Sequence, residues 1–170
     1  MLIRKATIAD REEIAELYRT VAGNVVGISR RPHEITDTYV YSLLNKKPFD
    51  IVCLVGLDEN DKVVGVVHGI KNGLEIYSHI LSDLTVIVKP DLQSQGMGRK
   101  LSMAFLEHIF NERSDVMRVE MEVIVNIKLI QAFEMAGFVK EGETKNRIKN
   151  VDGTFSDSVL MSWFNPNFKG

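Results

Sequence analysis

The run Gln93-Ser94-Gln95-Gly96-Met97-Gly98-Arg99-Lys100 constrains this chain more than any other stretch. It lies between an apolar β-type segment, Leu84-Thr85-Val86-Ile87-Val88, and a pattern in which Leu101, Phe105 and Ile109 share a helix face. A two-glycine turn from strand into helix leaves backbone N–H groups free to face an anion, and the helix N-terminus adds partial positive charge. Arg99 and Lys100 supply full charges beside the same turn. The segment therefore reads as the binding loop of a phosphate-bearing cofactor.

Two rival phosphate motifs fit worse. A dinucleotide fingerprint needs Gly-x-Gly-x-x-Gly, and Leu101 stands where the third glycine belongs. A nucleotide P-loop needs Gly-Lys-Ser/Thr, and no such triplet follows Gly98.

With 170 residues, 45% hydrophobic and 26% charged, the chain suits one globular domain over residues 1–170 that needs no disulfide or metal staple. A net charge of −2 gives no basic field to gather nucleic acid. Cys53 is the single cysteine, which excludes an internal disulfide and a cysteine-rich metal site. The N-terminus turns polar too early for a signal peptide, and no apolar run is long enough to span a bilayer, so a cytoplasmic protein without membrane attachment is expected.

Hydrophobic periodicity supplies the remaining elements. Leu2 to Lys5 reads as a strand; Asp10 and Glu13 have capping-box spacing ahead of a helix carrying Ile14, Leu17, Tyr18 and Val21. Gly23 to Pro32 breaks that helix, and a second is expected from about Glu34 to Leu44. Asp50–Leu57 and Lys62–Ile70 read as a hairpin, Ile76–Val88 as a long third strand ended by Pro90, and Met117–Val125 as another strand. Asn126 caps a helix that Gly137 ends, and Phe138–Lys149 and Thr154–Phe164 form a hairpin turned by Asp152-Gly153. The order is β-α-α-β-β-β-α-β-α-β-β.

That order, with three local motifs, resembles the GNAT superfamily of N-acetyltransferases. The motifs are Val88-Lys89-Pro90-Asp91-Leu92-Gln93-Ser94-Gln95-Gly96-Met97-Gly98, Asn126 followed by Ala132-Phe133-Glu134-Met135-Ala136-Gly137-Phe138, and the terminal hairpin around Asp152-Gly153. The resemblance implies an α/β (α+β) fold with a mixed, mostly antiparallel central sheet flanked by helices, and acetyl-CoA as cofactor. It implies that Gln93, Ser94, Gln95, Gly96, Met97, Gly98, Arg99 and Lys100 hold the pyrophosphate. Val86, Ile87 and Val88 would offer main-chain groups to pantetheine, with Asn126 and Phe133 near the same arm. The acceptor would be an amine of a small molecule or a protein, chosen by Gly23–Pro32 and Arg147–Asp157. Arg30 and Arg31 in the first of these read as a solvated pair or as a bias toward an acidic acceptor.

Acetyl transfer needs an uncharged amine, and a lysine-like amine with a pKa near 10.4 costs on the order of 4–5 kcal/mol to deprotonate at pH 7. A general base is therefore useful, and Asp83, in the long strand, is the leading carboxylate. Simple alternation places it on one side with Thr85 and Ile87; its other reading is a solvated strand carboxylate. Glu120 and Glu122 are fallbacks that also read as a polar strand face. Phe133 departs from the family, which commonly carries there a tyrosine that protonates the leaving thiolate; Tyr77 or water could serve instead. This departure keeps alive a non-catalytic acyl-CoA sensor, and an O-acyl or longer-acyl transferase is a third reading. Cys53, His68, His79, Met97, Met103 and Trp163 read as packing or surface residues. Exposed strand edges would allow a homodimer.

Overall fold

The structure, a computed structural model, describes residues 2–22 and 28–170. Its strands are β1 (Leu2–Lys5), β2 (Ile51–Leu57), β3 (Val63–Ile70), β4 (Ile80–Val88), β5 (Arg118–Ile124), β6 (Val139–Lys149) and β7 (Phe155–Phe164). The helices among the described residues are α1 (Arg11–Ala22), α2 (Asp37–Leu44), α3 (Met97–Glu112) and α4 (Ile127–Met135). The seven strands form a mixed, mostly antiparallel sheet in the order β1-β2-β3-β4-β5-β7-β6, the α/β class that the sequence implied. No helix among the described residues is long and apolar enough to cross a membrane. The chain divides into two compact units, Met1–Ile70 with Thr85–Glu107, and Lys71–Leu84 with His108–Gly170.

In the first unit β1, β2 and β3 form an antiparallel meander, with Leu2 opposite Leu57 and Ile51 opposite Ile70. Ile14, Leu17, Tyr18 and Val21 recur on one face of α1 and are buried against Val40 and Leu43 of α2 and Val55, Val66 and Ile87 of the sheet. Each such aliphatic side chain contributes about 1.5–3 kcal/mol by leaving water. The helix starts differently from the expected Asp10–Glu13 box. Asp10 instead accepts from the Thr7 N–H (2.7 Å) and takes a bidentate pair from Arg4 (2.7 and 2.8 Å). Glu13 accepts from the Val63 N–H at 2.8 Å and so ties α1 to β3. Asp10 thus closes a capping box with Thr7, one turn earlier than expected, and Glu13 takes a partner on the sheet. The second helix also starts later than expected: a 3-10 turn covers Pro32–Glu34, and the Thr36 side chain caps α2 by accepting from the Tyr39 N–H. Residues 23–27, within the segment expected to break α1, lie outside the described residues.

Two buried features of this unit make predictions. A Cβ built on Gly65 would sit 2.6 Å from Leu101 Cδ1 and 3.3 Å from the Ile87 carbonyl oxygen, so β3 and α3 approach at that position only without a side chain. Leu101 is fully buried and cannot swing away. Gly65→Ala should therefore lower stability by about 1–3 kcal/mol through overpacking, read as a reduced urea midpoint at unchanged slope.

His68 is 1% exposed, and its Nδ1 lies 2.8 Å from the Tyr18 hydroxyl. Burial depresses its pKa to about 4 from the ordinary 6.5, keeping the ring neutral. A base whose folded pKa is depressed stabilises the fold above its unfolded pKa and loses that contribution as pH falls through the folded value. Urea midpoints should thus decline between pH 6.5 and 4, by up to about 3 kcal/mol of stability from this residue alone. His68→Gln should flatten that decline; an unaltered slope would remove His68 as its cause. Burial also pushes the Cys53 thiol up to about 12, which suits packing and not nucleophilic chemistry.

In the second unit β4 runs parallel to β5, with Ile80 opposite Arg118 and Leu81 opposite Val119. The expected terminal hairpin forms, and β7 pairs antiparallel with both β5 and β6. Val119, Met121, Val123, Val159 and Met161 are buried, as alternation along β5 and β7 requires. The expected strand from Ile76 is shorter. Asn72 accepts from the Leu74 N–H, Gly73 adopts φ +87°, and a 3-10 turn over Glu75–Tyr77 precedes β4. Ile76 is 74% exposed there, because the turn takes it out of the sheet's alternation.

A charge cluster fastens this unit. Lys71, its side chain 4% exposed, donates to Asp115 at 2.8 Å, and Arg113 makes a two-point contact with the same carboxylate at 2.8 and 2.9 Å. Burial would raise the Asp115 pKa, but hydrogen bonds from Arg113 and Lys71 hold it down to about 2. Asn165, also buried, donates to the carbonyls of Arg113 and Val116. β6 lies last in the strand order, with Lys140, Glu141, Glu143, Lys145 and Lys149 along it and pairing irregularities at Lys140/Gly142 and Thr144/Ile148.

Candidate functional site

The glycine-bearing loop belongs to the first unit. β4 ends at Val88, a 3-10 turn covers Pro90–Leu92, and α3 begins at Met97. Ser94 (φ +62°) and Gly96 (φ +80°) are both left-handed, which folds Gln93–Gly96 into a tight bend. The helical ladder opens with Lys100 N–H on Gly96 O at 3.0 Å, so the N–H groups of Met97, Gly98 and Arg99 precede it. A Cβ on Gly96 would meet nothing within 4 Å, which leaves open space beside the bend. Arg99 and Lys100 are exposed next to it. Ahead-of-ladder amides, open space and two cations fit a pyrophosphate.

The two glutamines of the loop are used structurally. Gln93 Nε2 donates to the Val88 carbonyl at 3.0 Å, and Gln95 Nε2 donates to the Asp91 carbonyl at 2.9 Å. Both side chains thus shape the bend itself. Gly98 faces the strand: its Cβ would lie 3.8 Å from Val88 Cγ2 and 4.0 Å from Val86 Cγ1. Val86 and Val88 therefore underlie the start of α3, whereas Ile87 alternates into the core with α1 and α2. An open groove of about 510 Å³ continues along α3, lined by Gly96, Arg99, Lys100, Met103, Ala104 and Glu107. Met103, expected as core filler, is exposed on this groove. In the same unit the Arg30 guanidinium lies over the Tyr39 ring, 4.2 Å from its centroid.

The second unit holds the remaining candidates. Asp83 is exposed at φ +55°, a left-handed residue inside a strand. The left-handed backbone breaks the alternation: Leu81 and Leu84, three apart, are both buried on either side of Asp83. Asn126 caps α4 as expected, accepting from the Lys128 and Leu129 N–H groups at 3.0 and 3.2 Å. Gly137 (φ +94°) ends the helix, with Trp163 packed beside it. Phe133 meets Phe138 edge to face, centroids 5.6 Å apart, so a ring without a hydroxyl is held by an aromatic contact. Tyr77 is 44% exposed in its 3-10 turn.

The fallback carboxylates belong to a wider polar network that single-residue reasoning missed. Glu122 accepts from Ser158 and from Arg147 Nε (3.1 Å), and Thr144 shares a 2.6 Å bond with Ser158. Glu120 accepts from Ser82 (3.3 Å) and pairs with Arg118. Arg118 also reaches Glu141 and Ser162, and the Ser162 hydroxyl, then Arg118, hold the Glu141 carboxyl below the usual range. The available signal was Ser158 and Ser162, four apart on β7 and thus on one face with Glu120 and Glu122 of β5.

Such a set can bind an anion at the loop and present carboxylate and guanidinium groups on β5, β6 and β7. Among curated proteins compared by sequence, none matches the chain. Solved structures do match its fold. An acetyltransferase of the GNAT family from Streptococcus pneumoniae is 20% identical, with a TM-score of 0.81 over 96% of this chain and 98% of its own. A ribosomal-protein-alanine N-acetyltransferase from Brucella melitensis is 23% identical, with a TM-score of 0.84 over 96% and 99%. A spermidine N-acetyltransferase from Vibrio cholerae, in complex with CoA and spermine, is 20% identical, with a TM-score of 0.79 over 98% and 96%. The family model described as an acetyltransferase (GNAT) domain matches residues 48–151, more than half of the sequence. The chain belongs to the GNAT acetyltransferase family, whose members use acetyl-CoA.

Proposed function

We propose that the chain is a single N-acetyltransferase domain that moves the acetyl group of acetyl-CoA to a primary amine by direct attack. The observation that carries this reading is the bend at Ser94–Gly96, with its amides ahead of the α3 ladder and Arg99 and Lys100 alongside. An amine acceptor is supported by neighbours of the same fold, one described with spermine and another as a ribosomal-protein-alanine N-acetyltransferase.

Acetyl-CoA supplies a thioester carbonyl open to attack and a thiolate that departs near pKa 8.5 without obligatory protonation. The main-chain groups of Val86–Val88 would hold the cofactor arm, and a strand N–H there would be the donor available to a thioester carbonyl oxygen. Asp83 accepts the acceptor ammonium's proton, directly or through water. Its left-handed backbone is a strained conformation that the fold retains at a candidate site. Asn126 holds the start of α4 in place. Phe133 cannot donate a proton, so protonation of the thiolate falls to water or Tyr77.

The test is CoA release from acetyl-CoA over a panel of primary amines, paired with calorimetric CoA binding. Turnover on at least one amine is expected; tight CoA binding with no turnover on any would favour a sensor. Gly98→Val should weaken CoA binding at least tenfold. Its γ-methyls would crowd Val86 and Val88 and tilt the loop off the strand. Undiminished affinity in that variant would relocate the cofactor.

A further inference from the structure

Two turns of the second unit place an amide or carboxylate side chain directly before a left-handed glycine, and they differ in what the glycine nitrogen does. At Asn72-Gly73 the Asn72 Oδ1 accepts from the Leu74 N–H at 2.9 Å, with Gly73 at φ +87°. At Asp152-Gly153 the Asp152 carboxylate accepts from the Thr154 N–H at 3.0 Å and from the Thr154 hydroxyl at 2.6 Å, with Gly153 at φ +86°. In each turn the side-chain oxygen reaches across the following peptide to the next N–H. The Gly153 N–H is engaged, donating to the Asn150 carbonyl at 3.2 Å. Among the described residues the Gly73 N–H donates to no group.

The carbonyl carbons that face these nitrogens differ as well. The Thr154 hydroxyl, then its N–H, hold the Asp152 carboxyl below its usual range, so it stays ionised, and a carboxylate resists attack by nitrogen. Asn72 carries a neutral amide instead, and the Leu74 N–H polarises its carbonyl. Asparagine is a labile residue, and Asn72 is the only one in this chain that precedes glycine. Asn72, Gly73 and Leu74 are all exposed to water. A Cβ on Gly73 would meet nothing within 4 Å, so the space beside this backbone is open.

We propose that Asn72 is a self-modification site, at which the chain deamidates through the Gly73 nitrogen. That nitrogen gives its proton to solvent base and attacks Asn72 Cγ. The new N–Cγ bond closes a succinimide ring, and the Cγ–Nδ2 bond breaks, with a proton returned to the departing ammonia. Water then opens the ring. Addition at Cγ leaves aspartate, and addition at the main-chain carbonyl leaves isoaspartate, in which the backbone runs through Cβ. The net change is hydrolysis of one amide, with water as the sole co-reactant. A chain of formal charge −2 gains one further negative charge, in the turn between the buried Lys71 and β4.

The experiment incubates the full-length protein and follows it by anion exchange and by peptide mass spectrometry. An acidic species should accumulate that elutes with the Asn72→Asp variant, and the peptide containing Asn72 should gain about 1 Da. Asn72 should convert at least about tenfold faster than every other asparagine, and Asp152 should lag behind it in isoaspartate formation. The product should accept methyl groups from an isoaspartate methyltransferase, which direct hydrolysis to aspartate would not give. The Asn72→Ser variant keeps an oxygen for the Leu74 N–H and has no amide to lose, so the acidic species should vanish. An Asn72 that stays intact, a product free of isoaspartate, isomerisation of Asp152 at an equal rate, or undiminished acidic species in Asn72→Ser would each overturn the proposal.

Discussion

Asp115→Ala should lower stability by about 3–5 kcal/mol, because it removes the carboxylate shared by Arg113 and the buried Lys71 ammonium. Lys71 has a side-chain exposure of 4%, so its ammonium depends on protein partners more than a surface lysine does. For a chain of this size the melting temperature should fall by about 10 °C, given roughly 2–4 °C per kcal/mol. Asp115→Asn, which keeps an acceptor oxygen, should lose less. Lys71→Met combined with Asp115→Leu should recover only the Lys71 share of the loss, because the Arg113 guanidinium, 10% exposed, still loses that carboxylate. Urea midpoints at constant slope measure all three, and a loss below about 1 kcal/mol in Asp115→Ala would show that the pair is dispensable.

The second large effect is catalytic. Asp83→Asn should reduce kcat by about 10²–10⁴-fold, the range over which a positioned base contributes. Asparagine tolerates the left-handed backbone that position 83 requires, so the substitution tests the charge and not the backbone. CoA affinity should remain at the wild-type level, since the proposed phosphate contacts come from Gln93–Lys100. The pH profile gives an independent sign. The variant's residual rate should climb steadily toward the amine's own pKa, as unassisted attack by the neutral amine requires. An unchanged rate with an unchanged profile would leave proton removal to water or to another group.

What could be read in advance depended on how local the determinant was. Asn126 and Gly137 announce α4 because a cap and a left-handed terminus are set by immediate neighbours, and both stand where spacing placed them. The Gly-x-Gly segment was legible for the same reason. Asp10 was misread by one register, since it is the third residue of a capping box that starts at Thr7, and Glu13 because its partner, the Val63 N–H, is distant in sequence. The length of β4 was overestimated because hydrophobic content alone does not reveal the turn at Asn72–Gly73. The left-handed residue inside β4, Asp83, and the bulge at Asn146 escaped entirely, since period-two reasoning has no means of anticipating a break in the strand. The polar network on β5, β6 and β7 was missed because β7 inserts between its sequence neighbour β6 and β5, so the spacing of Ser158 and Ser162 alone named no partner strand.

The outermost strand has a bearing on how concentrated protein behaves. A straight terminal strand offers a template to which another chain can hydrogen-bond, the first step toward fibres. β6 is eleven residues long, yet alternating lysines and glutamates and two register irregularities interrupt any flat stretch on which a foreign segment could settle. The kink at Asn146 thus guards the molecule against self-templated growth.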